Sequence, residues 1–256
     1  MSEPQYLSDL PLRQRGRASV DFFAHLSRAA MALRPAIDAQ LESAGVTESA
    51  LPEDLDQRLA YAEPRARQST AFRVQQLAGE WHSQQHGPVA IEAFEALGPE
   101  LKQRLHQLDE GATTLEADPA FQAPESWEGI DFHRTRGGWD GHPYMGFVHG
   151  EIVHRKMVDA IFPGGIFRQR LRVAGEAPRS TYARILDMGC STGHYTLALA
   201  ETYPEAEITG VDLSLRTLEH ARRVANERGY GWRLLQRCAT ETGLPDAHFD
   251  LATSYI

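Results

Sequence analysis

From Thr181 onward the chain alternates short apolar runs with stretches of helical spacing, and few folds accommodate that pattern. Arg184-Ile185-Leu186-Asp187-Met188 has the character of a short buried strand, and a helix is expected from Tyr195 to Tyr203. Further strands are expected over Glu207–Val211, Trp232–Gln236 and Phe249–Ile256, with a helix over Leu215–Arg228. Strands separated by helical crossovers pair in parallel, which predicts an α/β, doubly wound, Rossmann-like sheet over 181–256. The fourth strand runs to the last residue with no turn after it, so the sheet is expected to be truncated after strand four and to leave an apolar edge.

The first 110 residues read differently. Val20, Phe23, Leu26, Ala30, Leu33, Ile37 and Leu41 recur at three- and four-residue steps, an amphipathic stripe that Pro35 kinks or splits. Shorter helices are expected over 52–62, 66–82, 88–97 and 99–109, with prolines near their starts. The polar, Pro- and Gly-bearing residues 110–130 read as a linker. A second region, 131–180, holds glycines, histidines and aromatics, then a helix from Glu151 to Phe162 that Pro163-Gly164-Gly165 breaks. Three parts follow: a helical region with linker over 1–130, a helical cap or connector over 131–180, and the α/β domain over 181–256.

The chemistry concentrates where the first strand gives way to a helix, in Leu186-Asp187-Met188-Gly189-Cys190-Ser191-Thr192-Gly193. Open α/β sheets bind ligands at that carboxyl edge. Gly189 and Gly193 let backbone approach a ligand, and the helix start near Gly193 offers unpaired N–H groups. Nineteen residues beyond Gly193 the second strand ends in Asp212, whose carboxylate can accept hydrogen bonds from two ribose hydroxyls.

On these residues the sequence resembles the seven-strand, Rossmann-like (class I) S-adenosylmethionine (SAM)-dependent methyltransferases. Their pattern of an acid followed by three glycines at alternate positions stands here as Asp187, Gly189, Ser191 and Gly193, with Ser191 in place of the middle glycine. The resemblance implies that SAM binds the loop Gly189-Cys190-Ser191-Thr192-Gly193. It implies that Asp187, Gly189 and Gly193 hold the methionine part, Asp212 holds the ribose, and Leu213 packs on the adenine. Cys238 stands where the family often has Asp, so adenine recognition would lean on the backbone of Ala239. The activity implied is methyl transfer to a small-molecule acceptor. Tyr144, His149 and Tyr255 are candidate general bases.

Competing readings are weaker. A dinucleotide loop would need glycine at Gly189, Ser191 and His194, and two of these fail. Gly189-Cys190-Ser191-Thr192-Gly193 also spells the nucleophile elbow of α/β hydrolases, with Ser191 as nucleophile, but His194 follows before any acid, His220 sits mid-helix and His248 comes after too little chain to rebuild a hydrolase sheet. A catalytically incomplete, SAM-binding regulatory module is the other alternative. His133, His142, His149 and His154 are separated by nine, seven and five residues, which fits no tight ligand pair on a helix, and no metal is expected. Arg134, Arg136, Arg155 and Lys156 read as a solvated edge. Trp139, Tyr144, Met145 and Phe147 read as packing, or as part of a lid over the pocket.

A net charge of −9 argues against a nucleic-acid partner. No apolar run approaches the roughly 18 residues of a membrane span. Two cysteines make no disulfide framework, and the start Met1-Ser2-Glu3-Pro4-Gln5 lacks a secretory pattern, so a cytoplasmic location is expected.

Overall fold

The computed structural model describes residues 6–127, 129–130 and 138–255. His133, Arg134, Arg136, Gly137, Ile256 and the first five residues lie outside that range. Five strands, β1 (Thr114–Glu116), β2 (Arg184–Met188), β3 (Glu207–Asp212), β4 (Arg233–Gln236) and β5 (Leu251–Thr253), form one sheet in the order β1-β4-β3-β2-β5. All four pairings are parallel. Ile185, Leu186 and Asp187 are buried in succession, as are Ile208 to Val211, because helices cover both faces. Helices α8 (His194–Thr202) and α9 (Leu215–Glu227) contribute Leu197, Leu199, Leu218 and Val224 to the core with Ile185, Ile208 and Leu234. β2 lies between β3 and β5, so the sheet's winding reverses there, which opens a crevice at its carboxyl end.

Two features depart from the sequence reading. Thr114–Glu116, inside the segment read as a linker, is the outer strand beside β4, in register with Arg233–Leu235. Thr114 N–H donates to Trp232 O (2.9 Å), Thr113 Oγ1 to Tyr230 O (2.8 Å), and Arg233 pairs with Glu116 at 2.9 Å. This short strand covers an edge that β4 would otherwise leave open. The fourth predicted strand is confined to Leu251–Thr253, since Asp250 is occupied as an acceptor for the N–H groups of Ala183 (3.0 Å) and Arg184 (2.8 Å).

The front region is helical: α1 (Gln14–Met31), α2 (Arg34–Ser43), α3 (Leu55–Ala66), α4 (Thr70–Glu95) and α5 (Pro99–Gln107). Pro35 splits the first stripe, as its fixed φ favours a helix start. The helices expected over 66–82 and 88–97 are instead one, running through Pro88. Its second half buries His86, Gly87, Ala90, Ala93 and Phe94, and that packing outweighs the lost hydrogen bond. Next come the single turn α6 (Met145–Phe147), an 11-residue π-helix (Val148–Val158), and α7 (Ile166–Gly175). One face of the π-helix, with Val148, Ile152 and Met157, joins the front-region core of Val20, Phe23, Phe94 and Leu105. No helix among the described residues is long and apolar enough to cross a membrane.

Candidate cofactor and acceptor site

The loop between β2 and α8 is tied to the end of β3. Gly189 and Cys190 N–H both donate to Val211 O, at 2.8 and 3.0 Å, and Ser191 N–H donates to Asp212 Oδ2 at 2.8 Å. Three loop residues are left-handed: Gly189 (φ 74°), Ser191 (φ 49°) and Gly193 (φ 77°). Gly193 is also fixed by packing, since a Cβ there would stand 2.9 Å from Ala221 Cβ and 3.0 Å from Trp232. Around Gly189 a Cβ would meet nothing within 4 Å, so open space faces the backbone at the sheet's edge.

Asp212 is oriented before any ligand arrives. Besides Ser191, it accepts from Ser214 N–H (2.9 Å) and Thr217 Oγ1 (3.3 Å), while burial pushes its pKa up. Asp187 lies beneath the loop, buried, and accepts from Thr196 Oγ1 (2.7 Å) and Thr253 Oγ1 (3.2 Å). Burial raises its pKa to about 6. The Cys190 thiol is buried and pushed well up by burial and by Asp212 and Asp187, so it stays protonated.

A cavity of about 470 Å³, within the range of small-molecule sites, opens above the loop. Gly189, Cys190, Ser191, Thr192 and Asp212 line one wall; Trp127, Trp139, His149, His154, Phe162 and Tyr255 line the others. Trp139 and His149, from the segment read as packing or as a lid, line the same cavity, and their rings meet at 3.7 Å. Asp140 pins it, accepting from Ser214 Oγ (2.9 Å) and Arg216 N–H (3.1 Å) at the start of α9.

Tyr144, one of the candidate bases, is not among the residues lining the cavity. Its ring packs on Phe94 and its hydroxyl is 3.1 Å from His106 Nε2, on the front helices. Tyr255 does line the cavity, stacked on Tyr195, with its hydroxyl donated to Gln169 at 3.1 Å. Asp187, Gly193, Leu213, Cys238 and Ala239 are not among the lining residues. Leu213 accepts at its carbonyl from Gln236 Nε2 (3.1 Å), and Cys238 pairs with Thr240 (3.0 Å).

Arg170 escaped the sequence reading. It lines the cavity, is 8% exposed, and its Nε is buried without a hydrogen-bond partner. Burial lowers its pKa to about 10, leaving it charged at neutral pH. The signal was the four-residue step of Ile166, Arg170 and Ala174, the buried stripe of α7.

Behind the cavity wall, Glu151 Oε1 lies 3.0 Å from His194 Nε2 and 3.0 Å from His220 Nε2. Burial alone would raise the Glu151 pKa, but the two histidines hold it well below the carboxylate range. Burial lowers His194 to about 4, and lowers His220 as well. With both rings turned to Glu151, no histidine hydrogen-bonds the Ser191 hydroxyl among the described residues, so Ser191 has no base to make it a nucleophile.

Residues 185–256 match the family model described as a methyltransferase domain. Over these residues the chain is similar to methyltransferase domains. Over 90 residues the chain is 38% identical to demethylmenaquinone methyltransferase of Thermus thermophilus, covering 35% of this chain and 41% of that protein. Over 72 residues it is 40% identical to trans-aconitate 2-methyltransferase of Streptomyces coelicolor, covering 28% of this chain and 24% of that one. Among solved structures, the YcgJ protein from Bacillus subtilis is 30% identical, covers 34% of this chain and 37% of that one, and has a TM-score of 0.31. The chain thus spans less than half the length of the curated relatives named here. The match begins within β2, and the helical region precedes it.

Proposed function

We propose that the chain binds SAM against the Gly189–Gly193 loop and transfers its methyl group to a small-molecule acceptor held under the 138–165 cap. One observation carries this reading: a single cavity has the domain's ligand loop on one wall and Trp139, His149 and His154 of the cap on another. The residues fit the cofactor. Gly189 leaves open space, Asp212 is oriented for the ribose, and Arg170 is a buried cation on the cavity wall that the methionine carboxylate would pair with. Leu213, Cys238 and Ala239 would flank the adenine, and Asp187 with Gly193 would shape the loop from below. SAM supplies a methyl group already activated on sulfonium, so the protein's task is to position the acceptor and exclude water. His149 and Tyr255 remain the base candidates within the cavity. The relatives named for demethylmenaquinone and trans-aconitate support a small acceptor. Free thiols at Cys190 and Cys238 agree with a cytoplasmic location.

Calorimetric titration with S-adenosylhomocysteine tests the assignment. Asp212→Ala should cost roughly 1.5–3 kcal/mol of binding, the range for hydrogen bonds to a charged group. Arg170→Met should weaken S-adenosylhomocysteine and leave 5′-methylthioadenosine, which lacks the amino-acid part, unchanged. Undiminished binding in a folded Asp212→Ala protein would remove that residue from the site.

A further inference from the structure

Glu151, His194 and His220 come from three elements, the π-helix, the first residue of α8 and the middle of α9. Their ligating atoms nevertheless lie within 4.8 Å of one another, and all three side chains are at most 2% exposed. We propose that these three residues form a site for one divalent transition-metal ion, of the zinc class, that fastens the cap to the methyltransferase domain. The inference is independent of how SAM is bound.

The donor set and its spacing carry the argument. Two imidazoles and one carboxylate suit zinc and its first-row neighbours. Around a tetrahedral ion, donors about 2.1 Å from the metal stand about 3.4 Å apart, and the 3.0 Å from Glu151 Oε1 to each Nε2 reaches that spacing with a shift of a few tenths of an ångström. The surroundings hold the donors in place. Arg155 Nε lies 3.2 Å from Glu151 Oε2, an ion-pair contact that sets a cation beside the carboxylate's other oxygen. Gly150 admits the backbone against both rings, since a Cβ there would stand 3.2 Å from His194 Cε1 and from His220 Cδ2. Among the described residues no hydrogen bond engages His194 Nδ1 or His220 Nδ1, so neither tautomer is imposed and each Nε2 can be the unprotonated donor a metal needs. His194 also lines the cavity, which gives an ion a way in. The plain alternative is a hydrogen-bonded hub, with Glu151 accepting from both rings.

Cobalt titration of the chelator-treated full chain separates the two. The expected result is uptake of one Co²⁺ per chain with visible d–d absorption, displaced by Zn²⁺ and lost in a folded His220→Gln or Glu151→Gln protein. X-ray absorption on the wild-type cobalt protein should show two imidazoles, a readout that stands if either variant fails to fold. No stoichiometric uptake, uptake that survives both substitutions, thiolate charge-transfer bands pointing to Cys238, or fewer than two imidazoles would each overturn the site in favour of the hub.

Discussion

At φ 49°, Ser191 holds a left-handed backbone that costs an L-residue about 1–2 kcal/mol. Glycine would remove that cost but lose about 0.5–1 kcal/mol through its freer unfolded chain. Ser191→Gly should therefore raise stability by about 0.5–1 kcal/mol, seen as a higher urea midpoint at unchanged slope, and keep S-adenosylhomocysteine binding intact. A lower midpoint would mean that the hydroxyl has an unrecognised structural role. Beneath the same loop, Asp187 shows the opposite balance, with function-related burial opposing charge. Its native pKa of about 6 exceeds the ordinary 3.8, so the native state binds the proton more tightly than the unfolded chain. Stability linked to this group is intact below pH 3.8 and falls as pH rises to about 6, by roughly 2–3 kcal/mol. Asp187→Asn should abolish that decline. Equal pH slopes in denaturation of wild type and variant would show that Asp187 ionises freely.

Among the elements, those with strong local patterning were legible and those made by partners were not. β2, β3 and β4 are short apolar runs set between helices, so their period and burial agree, and the ligand loop followed from the first of them. β1 is only Thr-Leu-Glu, half exposed, and exists because β4 offers an edge. The π-helix is invisible to a search for 3.6-residue spacing, yet its wider turn brings His149 and His154 ring to ring at 4.2 Å. The Glu151–His194–His220 cluster joins positions 43 and 69 residues apart, beyond any local rule. Close approach of α6 to α9 fixes this geometry through Gly146, where a Cβ would stand 2.3 Å from Arg216 O and 2.5 Å from His220 Cβ. Backbone cannot yield as a side chain does, so Gly146→Ala should destabilise by about 2–3 kcal/mol. It should also displace His220, which NMR of the ring protons would report; a neutral effect on both would mean that α6 is free to shift.

At the scale of the molecule, the helical region and the methyltransferase domain share more than a chain connection. Asp109, just after α5, accepts from Arg223 Nε (2.7 Å) and Nη2 (3.1 Å) and pairs with Arg222 (3.0 Å), both on α9. Arg104 pairs with Glu227 at 2.7 Å, and Glu227 also accepts the Leu7 N–H at 3.0 Å. Asn226 bridges the joint by donating to Leu108 O and accepting from Thr113 N–H. With β1 inserted in the sheet beside these contacts, the two regions should unfold together. Helical circular dichroism and tryptophan fluorescence are then expected to give one coincident thermal transition. Asp109 is the test residue. Burial alone would raise its pKa, but Arg223 and Arg222 hold it below the ordinary 3.8. Its contribution is therefore present above pH 3.8 and is lost as pH falls through the depressed native value. Breaking a buried ion pair costs about 3–5 kcal/mol, and the Asp109 side chain is one-fifth exposed, so Asp109→Asn should cost less, about 2 kcal/mol at pH 7. That difference should close in acid, and both probes should shift together. A helical signal that melts on its own, indifferent to Asp109→Asn, would show two separately stable units and refute the shared joint.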